Sequence, residues 1–116
     1  MNEWFDAERH VARADELSES GQWDAAAHEL RQAVEKVPDQ SDWQFHLGLA
    51  LERIEAFDEA RKVFEEVIRI RGGGFEALLH LGICCLWSGD PRAAVEALER
   101  AAGLDPDRHE AFCHRI

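Results

Sequence analysis

Three histidines recur at one spacing: His46, His80 and His114 lie 34 residues apart. Each follows an acid by four residues, in the pairs Asp42–His46, Glu76–His80 and Glu110–His114. Residues four apart share one face of a helix, so each pair would set a carboxylate beside an imidazole. Such a ladder can donate hydrogen bonds to a partner's backbone or respond to pH near neutrality. A metal set of His80, Cys113 and His114 is conceivable, but it lacks the local ligand pairs that zinc sites use, so no metal and no cofactor are expected. No serine, cysteine or carboxylate stands in a nucleophile–base arrangement, and the chain is read as not an enzyme. Cys84 and Cys85 fall in core-facing columns, where a thiol acts as a small hydrophobe.

The spacing of the histidines is that of the whole chain. Shifted by 34, Ala26, Ala60 and Ala94 align, as do Leu30, Phe64 and Leu98. Ala14, Gly48 and Gly82 align, then Leu17, Leu51 and Cys85, then Trp23, Phe57 and Pro91. Units close at Pro38, Gly72 and Pro106. Small residues recur where helices must touch, and large ones where gaps must be filled.

These residues carry a resemblance to the tetratricopeptide repeat. Repeat three has the family's leucine–glycine pair as Leu81-Gly82, its turn glycine as Gly89, its alanine as Ala94 and its closing Asp105-Pro106. Repeat two has Leu47-Gly48, Phe57, Ala60 and Phe64, but Glu55 replaces the turn glycine and Gly72 the proline. Repeat one has Gly21, Ala26 and Pro38, with Arg13-Ala14 for leucine–glycine. The resemblance implies an all-α fold, a right-handed superhelical solenoid of antiparallel helix pairs. Residues 1–116 would form one domain, with repeats at about 7–40, 41–74 and 75–108 and a partial fourth helix or cap at 109–116.

Helices are expected from about Asn2 or Glu3 to Ser20, Asp24 to Lys36, Ser41 to Ile54, Asp58 to Ile70, Phe75 to Ser88 and Pro91 to Ala102. A further helix would start at His109. Ser41 and Gln44 read as a capping box, and Asp90-Pro91 as an N-cap with proline at the first helical position. Gly72-Gly73-Gly74 joins two helices and lacks the lysine of a phosphate loop. The short final helix suggests a fragment of a longer protein, or a chain that covers its open end by self-association.

The 116 residues carry a net charge of −11. That balance argues against nucleic acid, whose phosphates need a basic footprint, and disfavours anionic membranes. No leader is evident in the charged first twenty residues, and no apolar run is long enough to span a membrane. An odd number of cysteines makes no disulfide framework, and a reducing cytoplasm is the expected location.

In the family, the first helix of each repeat lines a concave groove. The inward positions here are Glu8, Val11, Ala12, Asp15, Ser18 and Glu19, then Asp42, Phe45, His46, Leu49, Glu52 and Arg53, then Glu76, Leu79, His80, Ile83, Leu86 and Trp87, with Glu110, Cys113 and His114 following. Seven acids face one arginine on these rows. The expected site is therefore Asp42, Phe45, His46, Leu49, Arg53, Glu76, Leu79, His80, Ile83 and Trp87. Its expected partner is a protein or peptide segment, extended or helical, with apolar and basic side chains. The resemblance also brings a carboxylate clamp into view, but its positions are Val11, Asp15, His46, Glu76 and His80, none of the clamp's residue type, and that ligand class is rejected. The alternatives are a self-assembling unit, forming a homo-oligomer through its open C-terminal end, and a secretion-type chaperone for one partner.

Overall fold

The computed structural model describes residues 3–104. Its six helices are α1 (Glu3–Glu19), α2 (Trp23–Lys36), α3 (Ser41–Arg53), α4 (Phe57–Arg71), α5 (Phe75–Trp87) and α6 (Pro91–Leu104). Each lies within two residues of its expected bounds. They form three antiparallel pairs, and extensive contacts join only helices adjacent in the chain. The result is the expected right-handed solenoid, 46 Å long and 23 Å across its thinnest direction. His109 to Ile116, and with them the Glu110–His114 pair, Cys113 and the fourth helix, lie outside the described residues.

The pairs close at a point set by residue size. A Cβ on Gly48 would stand 2.6 Å from the Phe64 ring, and one on Gly82 would stand 2.9 Å from Leu98. An added methyl would have to push aside the buried Phe64 ring at Gly48, and the half-buried, more flexible Leu98 at Gly82. In the first pair Leu30 takes the large role and Ala14, not glycine, the small one; both are buried. The core continues through Leu51, Phe64, Val67, Leu78, Cys84 and Cys85, all at most 1% exposed. Burial pushes the Cys84 thiol up to about 12, so it stays protonated at neutral pH and packs as a small apolar group.

The turn inside each pair repeats as well. Gln22, Ala56 and Asp90 donate their backbone N–H to Leu17, Leu51 and Cys85, at 2.8, 2.9 and 2.8 Å. These are the bonds of a Schellman ending, which needs a left-handed residue just before the donor. Gly21 (φ 78°) and Gly89 (φ 92°) supply it, but the second turn uses Glu55 at φ 62°.

One start signal resolves differently from expectation. Ser41 and Gln44 form no capping box: Gln40 is the N-cap and makes no side-chain bond. Gln44 is buried at 5% exposure, so its amide must find an internal acceptor. It donates to the Pro38 carbonyl at 2.8 Å. The Ser41 hydroxyl instead accepts from Arg71 Nε at 3.0 Å. Asp90 behaves as expected, accepting from the Ala93 N–H at 3.1 Å.

Ion pairs tie successive units. Arg31 of α2 grips Glu59 of α4 through two bonds of 2.7 Å, and Arg61 of α4 reaches Asp90 at 3.2 Å. Within the first pair His10 meets Glu29 at 2.7 Å. The bond to His10 holds the Glu29 carboxyl below its ordinary value, and that from Arg31 does the same to Glu59.

Two outcomes follow from this geometry. A left-handed non-glycine residue costs about 1–2 kcal/mol, of which glycine's extra freedom when unfolded returns about 0.5–1. Glu55→Gly should therefore stabilise the domain by about 0.5–1 kcal/mol in urea titration. Carboxyls depressed on folding add stability above the unfolded carboxylate pKa of about 4.3, and lose it as pH falls through the folded values. The melting temperature should fall from pH 6 to pH 3, and less steeply in a Glu29→Gln, Glu59→Gln variant; an unchanged slope would remove these two groups as the cause.

Candidate functional site

The first helices of the three pairs, α1, α3 and α5, share one side of the solenoid. A cleft of about 350 Å³ opens there between the first two pairs. Asp15 and Ser18 of α1 form one wall, and His46, Leu49, Glu52 and Arg53 of α3 the other. Trp23 and Leu30 reach in from α2, and His80 from α5. The cleft thus unites His46, Leu49, Arg53 and His80 from the expected site.

The other expected residues are outside the lining of this cleft. Phe45 is half-buried and meets Phe64 and His80 edge-on, with centroids 5.6 and 5.7 Å away. Leu79 and Ile83 are half-buried on α5, while Asp42 and Glu76 are exposed. Trp87 is 68% exposed and lies against Phe57 at 5.9 Å, nearly parallel to it.

The charged groups pair across helices, which sequence spacing alone hid. Asp42 bonds Arg71 at 2.7 Å, and the same guanidinium lies 5.5 Å from the Phe45 ring centre. Arg71 thus brings a second cation to a face where the first-helix rows carry only Arg53. His80 Nδ1 is 2.6 Å from Glu52 Oε1, and its ring stacks on Phe64 at 5.4 Å. The histidine ladder is therefore uneven. His80 is held on two sides, whereas His46 is exposed and has no hydrogen bond among the described residues.

The unevenness traces to one substitution between repeats. Glu52 reaches the histidine 28 residues onward, His80. The residue 28 before His46 is Ser18, whose side chain is too short to span the same gap. Space remains where the next junction is filled. A second relation recurs at 30 residues: Arg53 lies over Trp23 at 5.1 Å, and Trp87 stacks on Phe57. Trp23 and Arg71 were missed because both belong to second helices. The recurring separation of about 30 was the available signal.

Among the described residues no three His, Cys, Asp or Glu side chains gather as a metal site, and Cys113 and His114 fall outside them. No described helix is long and apolar enough to cross a membrane.

Tetratricopeptide repeat family profiles match residues 11–75 and 55–112. The chain belongs to the tetratricopeptide repeat family. No curated protein gives a significant match. Among solved structures, YrrB, described as a tetratricopeptide protein with an unusual peptide-binding site, superposes with a TM-score of 0.85 at 21% identity, over 96% of this chain and 58% of that one. MamA gives 0.78 at 21% identity, over 90% of this chain and 57% of that one. The first tetratricopeptide domain of Spaghetti (RPAP3), bound to the HSP90 peptide SRMEEVD, gives 0.82 at 16% identity, over 94% and 86%. At these identities the likeness establishes the fold. The chain spans somewhat more than half the length of YrrB and MamA.

The Glu52–His80 bond is mostly shielded, with side chains 15% and 24% exposed. Glu52→Ala should cost about 0.5–1.5 kcal/mol, the net worth of one hydrogen bond, because His80 also opens onto the cleft, where water can replace the carboxylate. A urea midpoint unmoved by the change would show that His80 is held by Phe64 alone.

Proposed function

We propose that this tetratricopeptide domain is a protein-interaction scaffold, and that its groove receives a segment bearing apolar and basic side chains. The observation that carries the reading is the open cleft lined by His46, Leu49, Arg53 and His80, with Leu79 and Ile83 half-buried on α5. Phe45 and Leu49 pack against the core. Half-buried apolar side chains with acids around them fit a complementary apolar and basic partner. A peptide is bound to the related fold of Spaghetti, and YrrB is described as having a peptide-binding site, which supports the class of partner without naming it. The proposed contacts are Asp42, Phe45, His46, Leu49, Arg53, Glu76, Leu79, His80, Ile83 and Trp87.

A second reading has its own support. Leu86 and Trp87 are 57% and 68% exposed at the end of α5, an apolar patch suited to a second copy of the chain.

Affinity capture from the source lysate separates the two. A Leu79→Asp, Ile83→Asp variant with intact helicity should lose the specific protein that the native domain retains, by about tenfold or more, since burying an unpaired charge costs several kcal/mol. Equal retention by both forms rejects the groove. A mass that rises with concentration, and falls on Trp87→Glu, would favour self-association.

A further inference from the structure

We infer that the cleft between the first two repeats is an anchor site for one arginine side chain of the bound segment, which takes the place Arg53 now holds against Trp23. This rests on the groove reading and narrows it to a single side chain in a single place.

Four observations converge on a guanidinium. The Trp23 ring already carries one: Arg53 Cζ lies 5.1 Å from its centre, so the cleft has the shape for a planar cation on that face. Arg53 is exposed and makes no ion pair among the described residues. Among the described residues only the ring holds it, and an exposed cation–ring contact changes an equilibrium constant by about two- to fivefold. Displacing it therefore costs little.

The floor is apolar. Leu30 is 2% exposed and Leu49 is half-buried, and together they suit the methylene stem of a long basic side chain. At about 350 Å³ the cleft is at the small end of ligand pockets, which begin near roughly 300 Å³. That is room enough for one long side chain.

The charge balance excludes an acid. Asp15 opens onto the cleft, and Glu8 and Glu19 share its face of α1, at seven and four residues' separation. None of the three has an ion pair among the described residues. The acids of α3 are already engaged, Asp42 by Arg71 and Glu52 by His80. Unmatched negative charge is thus concentrated on α1, beside the opening. An incoming carboxylate would meet Asp15 and Glu52 with Arg53 as its one full counter-charge. An incoming guanidinium would meet Asp15, the Ser18 hydroxyl and the indole. Arginine suits the site better than lysine, because its flat fork can lie on a ring and bond a carboxylate through two N–H groups at once.

The test is an NMR titration of the native domain, following the tryptophan indole N–H signals, with Trp23 assigned from Trp23→Phe. The probes are acetyl-Leu-Ser-Arg-Ser-Leu-amide and its analogues with citrulline or glutamate replacing arginine. The arginine peptide should move the Trp23 signal, and citrulline should weaken the effect. Arg53→Ala should tighten the arginine peptide by about two- to fivefold, and Asp15→Asn should loosen it by about the same factor. A Trp23 response to the glutamate peptide alone overturns the inference in favour of an acidic occupant, and weaker arginine binding in Arg53→Ala overturns the claim that the incoming side chain takes the place of Arg53. If the peptides move Trp87 but not Trp23, the anchor is wrong and the groove reading stands. If no indole moves, the arginine anchor is rejected, and the groove is judged separately by the capture of native and Leu79→Asp, Ile83→Asp forms.

Discussion

Everything in this molecule depends on how closely two helices of a pair approach at one point. At Gly48 the helix backbone lies against the Phe64 ring, with no room for a methyl group. Gly82 meets Leu98 in the same way. Close approach sets the angle of each pair, and the pairs repeat because the small–large column repeats. A larger residue at either glycine would force the ring or the leucine aside and spread the pair. His80 would move too, since it stacks on that same Phe64 ring. Packing at the centre of the second repeat is thus joined to the groove surface through one aromatic side chain.

The groove differs along its length because its repeats are not identical. At the junction of repeats two and three, a glutamate fills the gap to the histidine of the next unit. At the junction of repeats one and two, a serine stands in the equivalent place and a cleft remains. The same economy recurs on the rim, where Arg53 covers Trp23 and Trp87 covers Phe57. A shared backbone plan gives each junction the same positions, and single substitutions decide which are closed. Chemical specificity in such a scaffold therefore lives at departures from the repeat, while the agreements hold the frame.

That division also governs what the sequence made legible. The columns of Ala26, Ala60 and Ala94, and of Leu30, Phe64 and Leu98, announced the pairs because burial restricts size at every turn of the helix. Helix bounds followed from Gly21, Pro38 and Asp90-Pro91, whose backbone preferences act locally. The Ser41–Gln44 signal misled because a buried amide took a carbonyl from the preceding turn, a tertiary demand that no local motif records. Groove electrostatics were harder. Reading the first helices alone gave a row of acids with Arg53, but Arg71 enters from the end of α4 and neutralises Asp42. His80 turned to Glu52, 28 residues back, through a contact between repeats. Long side chains cross between units at separations near 30, and a search at 34 passes over them.

The restriction of extensive contacts to neighbouring helices has a mechanical meaning. No helix of the first pair is braced by the third, so the curvature of the stack is the sum of independent adjustments at each junction. The domain behaves as a short spring whose stiffness is set by its softest joint. A segment lying across all three first helices would act as a chord across that arc, fixing its bend and stiffening the whole length at once.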